Sequence, residues 1–464
     1  MATLAVLLAL FVLIFTAYRG ASVILLAPLA ALIGVALSEP SVILPVYSAL
    51  FMSKLAEFVQ KYFPLFLLGA VFGKGVEVAG FSRVIARALI KWLGPSRAML
   101  AIVLVCNVLT YGGVSVFVVV FAAYPFAAFG FRAGGIPKRF IPATIAFGAL
   151  TYTMDCLPGT PQIQNLIPAP FFGTDAYAAG TLGVIGAVFI FTAGSFYLSR
   201  RIHEAMARGE GYGSDHRNEP MVVLENERDA PVAIALMPLI VVGVVNKLLT
   251  FELPHFYNSA IALALPGLSK PVVVQLAEVK ASWALLIALL CGIISVGVLA
   301  PRAMRRGFGA GARDAVNGAL LAVMNTASEF GFGAVMAALP GFLVIKEALK
   351  AIPNPLVNEA ISVTTLAGVT GSASGGLSIA LAALAGQFKA AGTAAGIPME
   401  VLHRVASMAS GGMDTLPHNG AVIVILAVCG LTHRESYADI FVISLIKTAA
   451  VFAVIGVYYA TGLV

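Results

Sequence analysis

Long runs of apolar residues dominate the chain, and polar residues fall into short segments between them. A helix needs about 20 apolar residues to cross a bilayer. On this criterion the first half contains predicted spans at residues 3–18, 22–38, 62–80, 139–170 and 180–199. The second half contains them at residues 231–249, 281–300, 315–337, 399–430 and 438–461. The pattern therefore predicts an all-α polytopic membrane protein with five transmembrane helices in each half.

Two further apolar stretches have a glycine-rich polar patch near the middle. Residues 98–131 and 360–388 contain no charged residue, and each is interrupted, at 110–113 and at 370–376 respectively. One long tilted helix is an alternative for each stretch, but a Gly/Ser cluster favours a turn. Irregular backbone at membrane depth is tolerated where protein covers it or where it lines a cavity. We therefore expect two re-entrant hairpins whose tips line a site.

Four short motifs occur twice in the same order, at offsets between 258 and 263 residues. The copies are Phe72 to Gly75 with Phe330 to Gly333, Gly112 to Val116 with Gly375 to Ile379, Gly135 to Pro137 with Gly396 to Pro398, and Met154 to Pro158 with Met413 to Pro417. The chain thus reads as a duplication, with repeats at 1–199 and 231–464 and a cytoplasmic linker at 200–230. An odd number of spans per repeat inverts the second copy, and inverted repeats with broken helices are typical of secondary transporters.

Composition supports the membrane assignment and excludes other classes. Hydrophobic residues make up 60% of the chain and charged residues 11%, whereas soluble domains have about 25% charged residues. No basic patch with interleaved aromatic residues suggests nucleic-acid binding, and no spacing of Cys and His suggests a metal site or a cofactor. With both termini outside, cytoplasmic segments hold 18 of the 29 Lys and Arg residues, as the positive-inside rule requires.

Two aspartates lie inside predicted spans, where an ionised carboxylate is costly and usually faces a cavity, a partner or an ion path. Asp155 and Asp414 each precede a proline by three residues, and proline frees backbone carbonyls that can coordinate a cation. An alternative is that each aspartate only caps the following half-helix. Polar residues extend both breaks and are candidates for substrate binding: Thr160, Gln162, His418 and Asn419. His418 can titrate near neutral pH, although a satisfied core histidine is the alternative.

The hairpin tips supply hydroxyl groups and glycine amides that can approach a carboxylate. These candidate substrate-binding residues are Gly112, Gly113, Ser115, Ser372, Ser374, Gly375, Gly376 and Ser378. Helix packing through small residues is the competing explanation. Glu329 is a third acid within the membrane, and Val71 stands at its position in the first repeat. An acid on one side only of a pseudo-symmetric site suits proton coupling, and a structural hydrogen bond is the alternative.

The runs at 325–333, 370–378 and 413–420 resemble those of the gluconate permease (GntP) family within the ion transporter superfamily. This resemblance covers nearly the whole chain. It implies a bacterial inner-membrane symporter that couples protons to a sugar acid or short hydroxy acid, such as gluconate or hydroxybutyrate. It also implies a homodimer with scaffold and elevator-like transport domains. Sodium-coupled dicarboxylate carriers have Ser-Asn-Thr motifs where this chain has Gly-Gly-hydrophobic-Ser, which disfavours a dicarboxylate and sodium.

Three alternatives compete with a proton-coupled symporter. A sodium-coupled carboxylate symporter fits the same architecture. An intramembrane aspartyl protease also has two aspartates, but it requires Gly directly before one of them, and Met154 and Met413 precede both here. A passive channel would carry flux that is not coupled to an ion gradient. Among these alternatives only the protease would be an enzyme.

Overall fold

The computed structural model is helical throughout, apart from one small β-hairpin in the part of the chain that it describes. The described residues are 2–18, 22–94, 97–114, 116–214, 216, 218–219, 230–267, 270–350, 352–417 and 419–464. Ser115, His418 and most of the second half of the linker lie outside them.

The first repeat begins with two helices, followed by a short segment and then a long helix. The helices are α1 (Ala2–Tyr18), α2 (Val23–Ser38), the short α3 (Ile43–Pro45) between a 3-10 turn (Pro40–Val42) and a π-helix (Val46–Phe51), α4 (Met52–Val78), α5 (Phe81–Leu93), α6 (Ala98–Tyr111), α7 (Val116–Ala133), α8 (Ile141–Ala149), α9 (Tyr152–Asp155), α10 (Pro168–Phe172) and α11 (Gly180–Ala207). Single 3-10 turns precede α8 (Lys138–Phe140) and α10 (Ile163–Asn165).

The second repeat follows the same order. Its helices are α12 (Val232–Phe256), α13 (Leu276–Leu299), α14 (Pro301–Ala338), α15 (Pro340–Lys350), α16 (Pro355–Thr370), α17 (Ala373–Ala394), α18 (Met399–Ser410), α19 (Gly420–Cys429) and α20 (His433–Thr461). Both repeats thus contain two helices, a long helix, a short helix, a hairpin of two helices, a broken helix and a final long helix. Between α12 and α13, the strands β1 (Ala260–Leu263) and β2 (Val272–Gln275) pair antiparallel, an element that the sequence analysis did not predict.

Seven helical segments in the described part of the chain are long and apolar enough to cross a bilayer. Six of them cover, to within two residues at either end, the predicted spans at 62–80, 180–199, 231–249, 281–300, 315–337 and 438–461, and the seventh is α17. The predicted spans at 3–18 and 22–38 form the shorter helices α1 and α2. The two remaining predictions, 139–170 and 399–430, are not continuous helices but broken ones, as the helix-breaking motifs predict.

Both predicted hairpins are present, and glycine makes their turns. Helix α6 packs against α7, and α16 packs against α17. Gly113 and Gly371 stand at the turns with φ of 91° and 63°, a left-handed conformation that costs glycine little. Ser372 then caps α17 by accepting a hydrogen bond from the backbone nitrogen of Gly375 at 3.0 Å. The second hairpin spans 355–394 and is therefore longer than its charge-free stretch, so it includes Glu359.

The helices form two groups according to which of them pack together. The first group contains α1, α2, α4, α12, α13 and α14, with α4 and α14 packed along each other at its centre. The second group contains both hairpins, both broken helices, α11 and α20. The largest contact between the groups is that of α14 with α17, the second arm of the second hairpin.

The described part of the linker is attached to the second group. Glu219 accepts hydrogen bonds from Arg132 and Lys138, which flank the base of the first hairpin, at 2.5 and 2.8 Å. Glu210 pairs with Arg139 at 2.6 Å, and this hydrogen bond holds the pKa of the Glu210 carboxyl below its ordinary value. Asn218 donates to the backbone oxygen of Ala427 on α19 at 3.0 Å. The linker thus joins the two repeats by contacts with both of them.

Candidate functional site

In the first repeat, the helix break is hydrogen-bonded to the hairpin tip. The amide nitrogen of Gln162 donates to the backbone oxygen of Thr110, at the end of α6, at 2.7 Å. Thr160 lies on the same break, and its hydroxyl donates to the backbone oxygen of Thr153 at 2.7 Å. Gly113, at the tip, faces the break: a Cβ added at this glycine would lie 3.3 Å from the side chain of Pro161. The break and the tip therefore form one structural unit.

The second repeat has the same connection. Asn419 donates through its side-chain nitrogen to the backbone oxygen of Gly371, at the tip of the second hairpin, at 2.8 Å. Its side-chain oxygen accepts from the backbone nitrogen of Val422 at 2.8 Å and so caps α19. A single side chain therefore fixes the hairpin tip relative to the start of the second half-helix.

Lys447 of α20 connects the two breaks. Its ammonium group donates to Asp414 of the second break at 2.9 Å and to the backbone oxygen of Leu150, at the start of the first break, at 2.5 Å. The side chains of Lys447 and Asp414 are 1% and 2% exposed, so this ion pair is fully buried. Breaking a buried pair of this kind destabilises the protein, because removing either partner leaves an uncompensated charge.

Arg404 of α18 performs the corresponding role around Asp155. Its guanidinium donates to the backbone oxygen of Asp155 at 3.1 Å, to the side-chain oxygen of Asn165 at 2.9 Å and to the backbone oxygen of Ala178 at 2.7 Å. Arg404 is completely buried. Five N–H donors in a planar fork allow one arginine to satisfy several carbonyls of a broken helix.

The Asp155 carboxylate is only partly satisfied. One oxygen accepts from the thiol of Cys156 at 3.0 Å, and the other is buried and has no hydrogen-bond partner. A Cβ added to Gly411 would overlap this second oxygen and would lie 3.1 Å from Cε of Lys447. Asp155 therefore lies beside Lys447. Together, Asp155, Asp414, Lys447 and Arg404 form a buried cluster of two acidic and two basic side chains, the charge cluster.

Glu329 lies against the second hairpin tip. A Cβ added to Gly375 would overlap the Glu329 carboxylate, and one turn earlier Thr326 faces Ser374 with the two hydroxyl oxygens 3.5 Å apart. Glu329 is 5% exposed. The first repeat places Phe72 of α4 near Gly113, at 3.9 Å from an added Cβ. Each tip thus faces the central long helix of its own repeat, and among the residues that the structure describes only the second tip meets an acid.

The remaining predicted residues lie at the tips and breaks, with different surroundings. Gly112 faces Leu239 of α12, and Gly376 lies against the backbone of α16 at Ala367. Ser378 is fully buried, and its hydroxyl donates to the backbone oxygen of Ser374 at 2.6 Å. The hydroxyl of Ser378 is thereby engaged within its own helix. Ser115 and His418 lie outside the described residues.

Sequence reasoning missed three buried polar residues of the second group. Arg404 was counted only as a charge for the orientation of the chain, and Lys447 was placed in or near a span without a role, although a charged residue inside a predicted span is itself a signal of function. His403 was also missed; its ring nitrogens lie 2.6 Å from the Thr174 hydroxyl and 3.1 Å from the backbone oxygen of Asn165. No local pattern pairs these residues with partners more than 200 positions away.

Comparison with known proteins identifies the class. The chain is 54% identical to the uncharacterised transporter YxjC of Bacillus subtilis (strain 168), over 99% of both chains. It belongs to the same transporter family as YxjC. No family model matches the chain. A crystal structure of the YdaH transporter of Alcanivorax borkumensis, described as having an unusual topology, is similar with a TM-score of 0.53 and 17% identity, covering 89% of this chain and 88% of that one. The likeness to YdaH shows a shared fold.

Glycine substitutions in α17 are expected to affect stability with opposite signs. Gly376→Ala forces the α16 backbone to shift, because the added methyl would overlap Ala367, and we expect a loss of about 1–3 kcal/mol. Gly386→Ala has nothing within 4 Å of its added methyl, and removing a helical glycine stabilises by about 1 kcal/mol. Thermal unfolding of the two purified variants measures both effects. Equal stability of Gly376→Ala and the wild type would show that the hairpin arms are not closely packed at this point.

Proposed function

We propose that this transporter is a proton-coupled symporter of small hydroxy or sugar-acid monocarboxylates, of the gluconate permease type. The observation that carries the proposal is the repeated unit of hairpin tip and helix break, in which Gln162 and Asn419 bind the tips of their own repeats. Two such units connected by one charge cluster would provide a site of helix ends inside the membrane. Such sites bind anionic substrates and coupling ions in secondary transporters.

The substrate would bind between the two tips. Helix N-termini attract carboxylates, and α7, α17 and α19 all begin at a tip or a break. Ser374 has its hydroxyl 3.5 Å from that of Thr326 and is free to turn toward a ligand. The charge cluster is neutral when both aspartates are ionised, so a monocarboxylate would add one net negative charge to it. A proton that enters with the substrate would cancel that charge.

Each acid has a separate role in this proposal. Asp414 holds Lys447 and so fixes the position of the second break. Asp155 supplies the carboxylate oxygen without a partner, which is the position in the cluster best suited to accept a cation or a proton. Glu329 faces a hairpin tip from outside the second group, so its charge would control the approach of that tip.

The transport movement we propose is of the elevator type. The second group of helices contains every tip and break, and the first group contains none. Movement of the second group as a body along the first would carry the site across the membrane while the hydrogen bonds within the second group stay intact. A dimer of the first groups, inverted repeats and an inner-membrane location with both termini outside belong to the same proposal.

Uptake by proteoliposomes tests the substrate and the coupling ion. We expect labelled gluconate or 3-hydroxybutyrate to accumulate under an imposed proton gradient and succinate not to accumulate. A protonophore should abolish accumulation and leave exchange of labelled for unlabelled substrate unchanged. Accumulation with a sodium gradient alone would replace proton by sodium coupling. Flux that never exceeds equilibrium under either gradient would contradict symport and indicate a channel.

A further inference from the structure

Glu359 is a buried acid that the proposed mechanism does not yet use. It lies in the second turn of α16, and its side chain is 0% exposed. Both carboxylate oxygens lack a hydrogen-bond partner among the described residues. An ionised carboxylate without a partner is very costly in an apolar environment, and such a group neutralises instead. The environment of Glu359 therefore requires a protonated, uncharged acid.

The described charged groups on the neighbouring helices are bound to other partners or exposed, so they do not compensate a negative charge on Glu359. Helix α16 packs against α17, α18 and α20, with smaller contacts to α1 and α15. On these elements Lys447 is bound to Asp414 and Leu150, and Arg404 to Asp155, Asn165 and Ala178. Asp439 is bound to Arg201 and Tyr197, and His403 to Thr174 and Asn165. Lys389, Glu400, Arg434, Glu435 and Glu347 are exposed, and α1 has no charged residue. The side chains of Lys346 and Lys350 on α15 lie outside the described ones.

Glu359 belongs to the group of helices that carries the site. Side-chain hydrogen bonds attach α16 to that group at two points: Asn354, at the N-cap, accepts from Tyr459 of α20 at 3.1 Å, and Thr364, past the middle of the helix, donates to the backbone oxygen of Ala409 on α18 at 3.1 Å. Glu329, by contrast, lies on α14 in the other group. A proton held on Glu329 would therefore stay behind when the second group moves, whereas a proton held on Glu359 would move with the substrate.

We propose that Glu359 is the proton-binding site of the moving group and carries the coupled proton across the membrane. This inference rests on the proposed symport, and it assigns Glu329 the separate role of controlling the hairpin tip. Glu359 lies about 6 Å along the helix axis from the first residue of α16, at the rise of an α-helix.

Infrared spectroscopy of the protein in lipid tests the protonation of Glu359 without any substrate. Near neutral pH we expect a carbonyl band of a protonated carboxylic acid that resists exchange of hydrogen for deuterium, because the group is fully buried. Glu359→Gln, a neutral variant of the same shape, should lose one component of this band, measured as a difference spectrum against the wild type, because Asp155 and Glu329 are buried acids that absorb in the same region when protonated. Glu400→Gln, which changes an exposed acid of α18, should lose no component. A difference spectrum of Glu359→Gln in which no component of the band is lost would overturn the proposal, since Glu359 would then be ionised or solvated in the wild type.

Transport by the same variants tests the coupling role. With the labelled hydroxy acid that the wild type accumulates, Glu359→Gln should keep exchange and lose proton-driven accumulation, and Glu400→Gln should behave as the wild type. Accumulation by Glu359→Gln at the wild-type level would overturn the coupling role. If the wild type accumulates none of the labelled acids, symport of that class fails, whereas the infrared result still decides the protonation of Glu359.

Discussion

Replacing Lys447 by methionine is expected to destabilise the protein by about 3–5 kcal/mol, the usual cost of breaking a buried ion pair by removing one partner. The variant leaves Asp414 without its cation and the backbone oxygen of Leu150 without its donor. The charge cluster then has a net negative charge in the membrane interior. Thermal unfolding of the purified protein in detergent measures the loss, and transport should disappear with it.

A double variant separates charge from side-chain shape. Lys447→Met with Asp414→Asn returns the charge cluster to neutrality, with Asp155 and Arg404 still balanced. We expect the double variant to be more stable than Lys447→Met alone. Arg434→Met is the matched control, because Arg434 is an exposed basic residue in the first turn of the same helix. The variant Asp414→Asn completes the comparison. If the loss of stability in the double variant equals the sum of the losses in Lys447→Met and Asp414→Asn, Lys447 and Asp414 do not interact.

The architecture could be predicted from the sequence because glycine and proline act locally. The glycine-rich patches at 110–113 and 370–376 predict the hairpin turns, and the prolines after Asp155 and Asp414 predict the breaks. Duplication adds independent support, since each element occurs twice at nearly the same offset. The β-hairpin at 260–275 was missed because its strands are only four residues long and do not alternate clearly between polar and apolar positions.

The interior of the site could not be predicted, because its contacts join distant parts of the chain. Lys447 pairs with Asp414, 33 positions away, and reaches the backbone of Leu150, 297 positions away. Periodicity within one helix does not determine which charge faces which break. Glu359 escaped notice for another reason. It lies just outside the charge-free stretch that defines the hairpin in the sequence, whereas in the structure the helix begins four residues before it.

Replacing Glu329 by glutamine is expected to abolish proton-driven accumulation and to preserve exchange. Glutamine has the shape of the protonated acid, so the contact with Gly375 stays intact and the hairpin tip can still move. The control of that movement by a charge is lost, because the side chain remains neutral at every pH. The measurement compares net uptake under a proton gradient with counterflow into vesicles that are preloaded with unlabelled substrate.

The internal symmetry of the chain supplies the sharpest control for Glu329. Val71 holds the equivalent position on α4, so the first tip works without an acid, and Val71→Ala should leave the coupling of transport to protons unchanged. Gly375→Ala should impair both net uptake and counterflow, because its methyl would overlap the Glu329 carboxylate and displace the tip itself. A loss confined to net uptake in Glu329→Gln therefore indicates a coupling role, whereas equal losses in both measurements indicate a structural one. Net uptake at the wild-type level in Glu329→Gln would leave proton coupling to Glu359 and Asp155, the acids of the second group whose buried oxygens have no partner among the described residues.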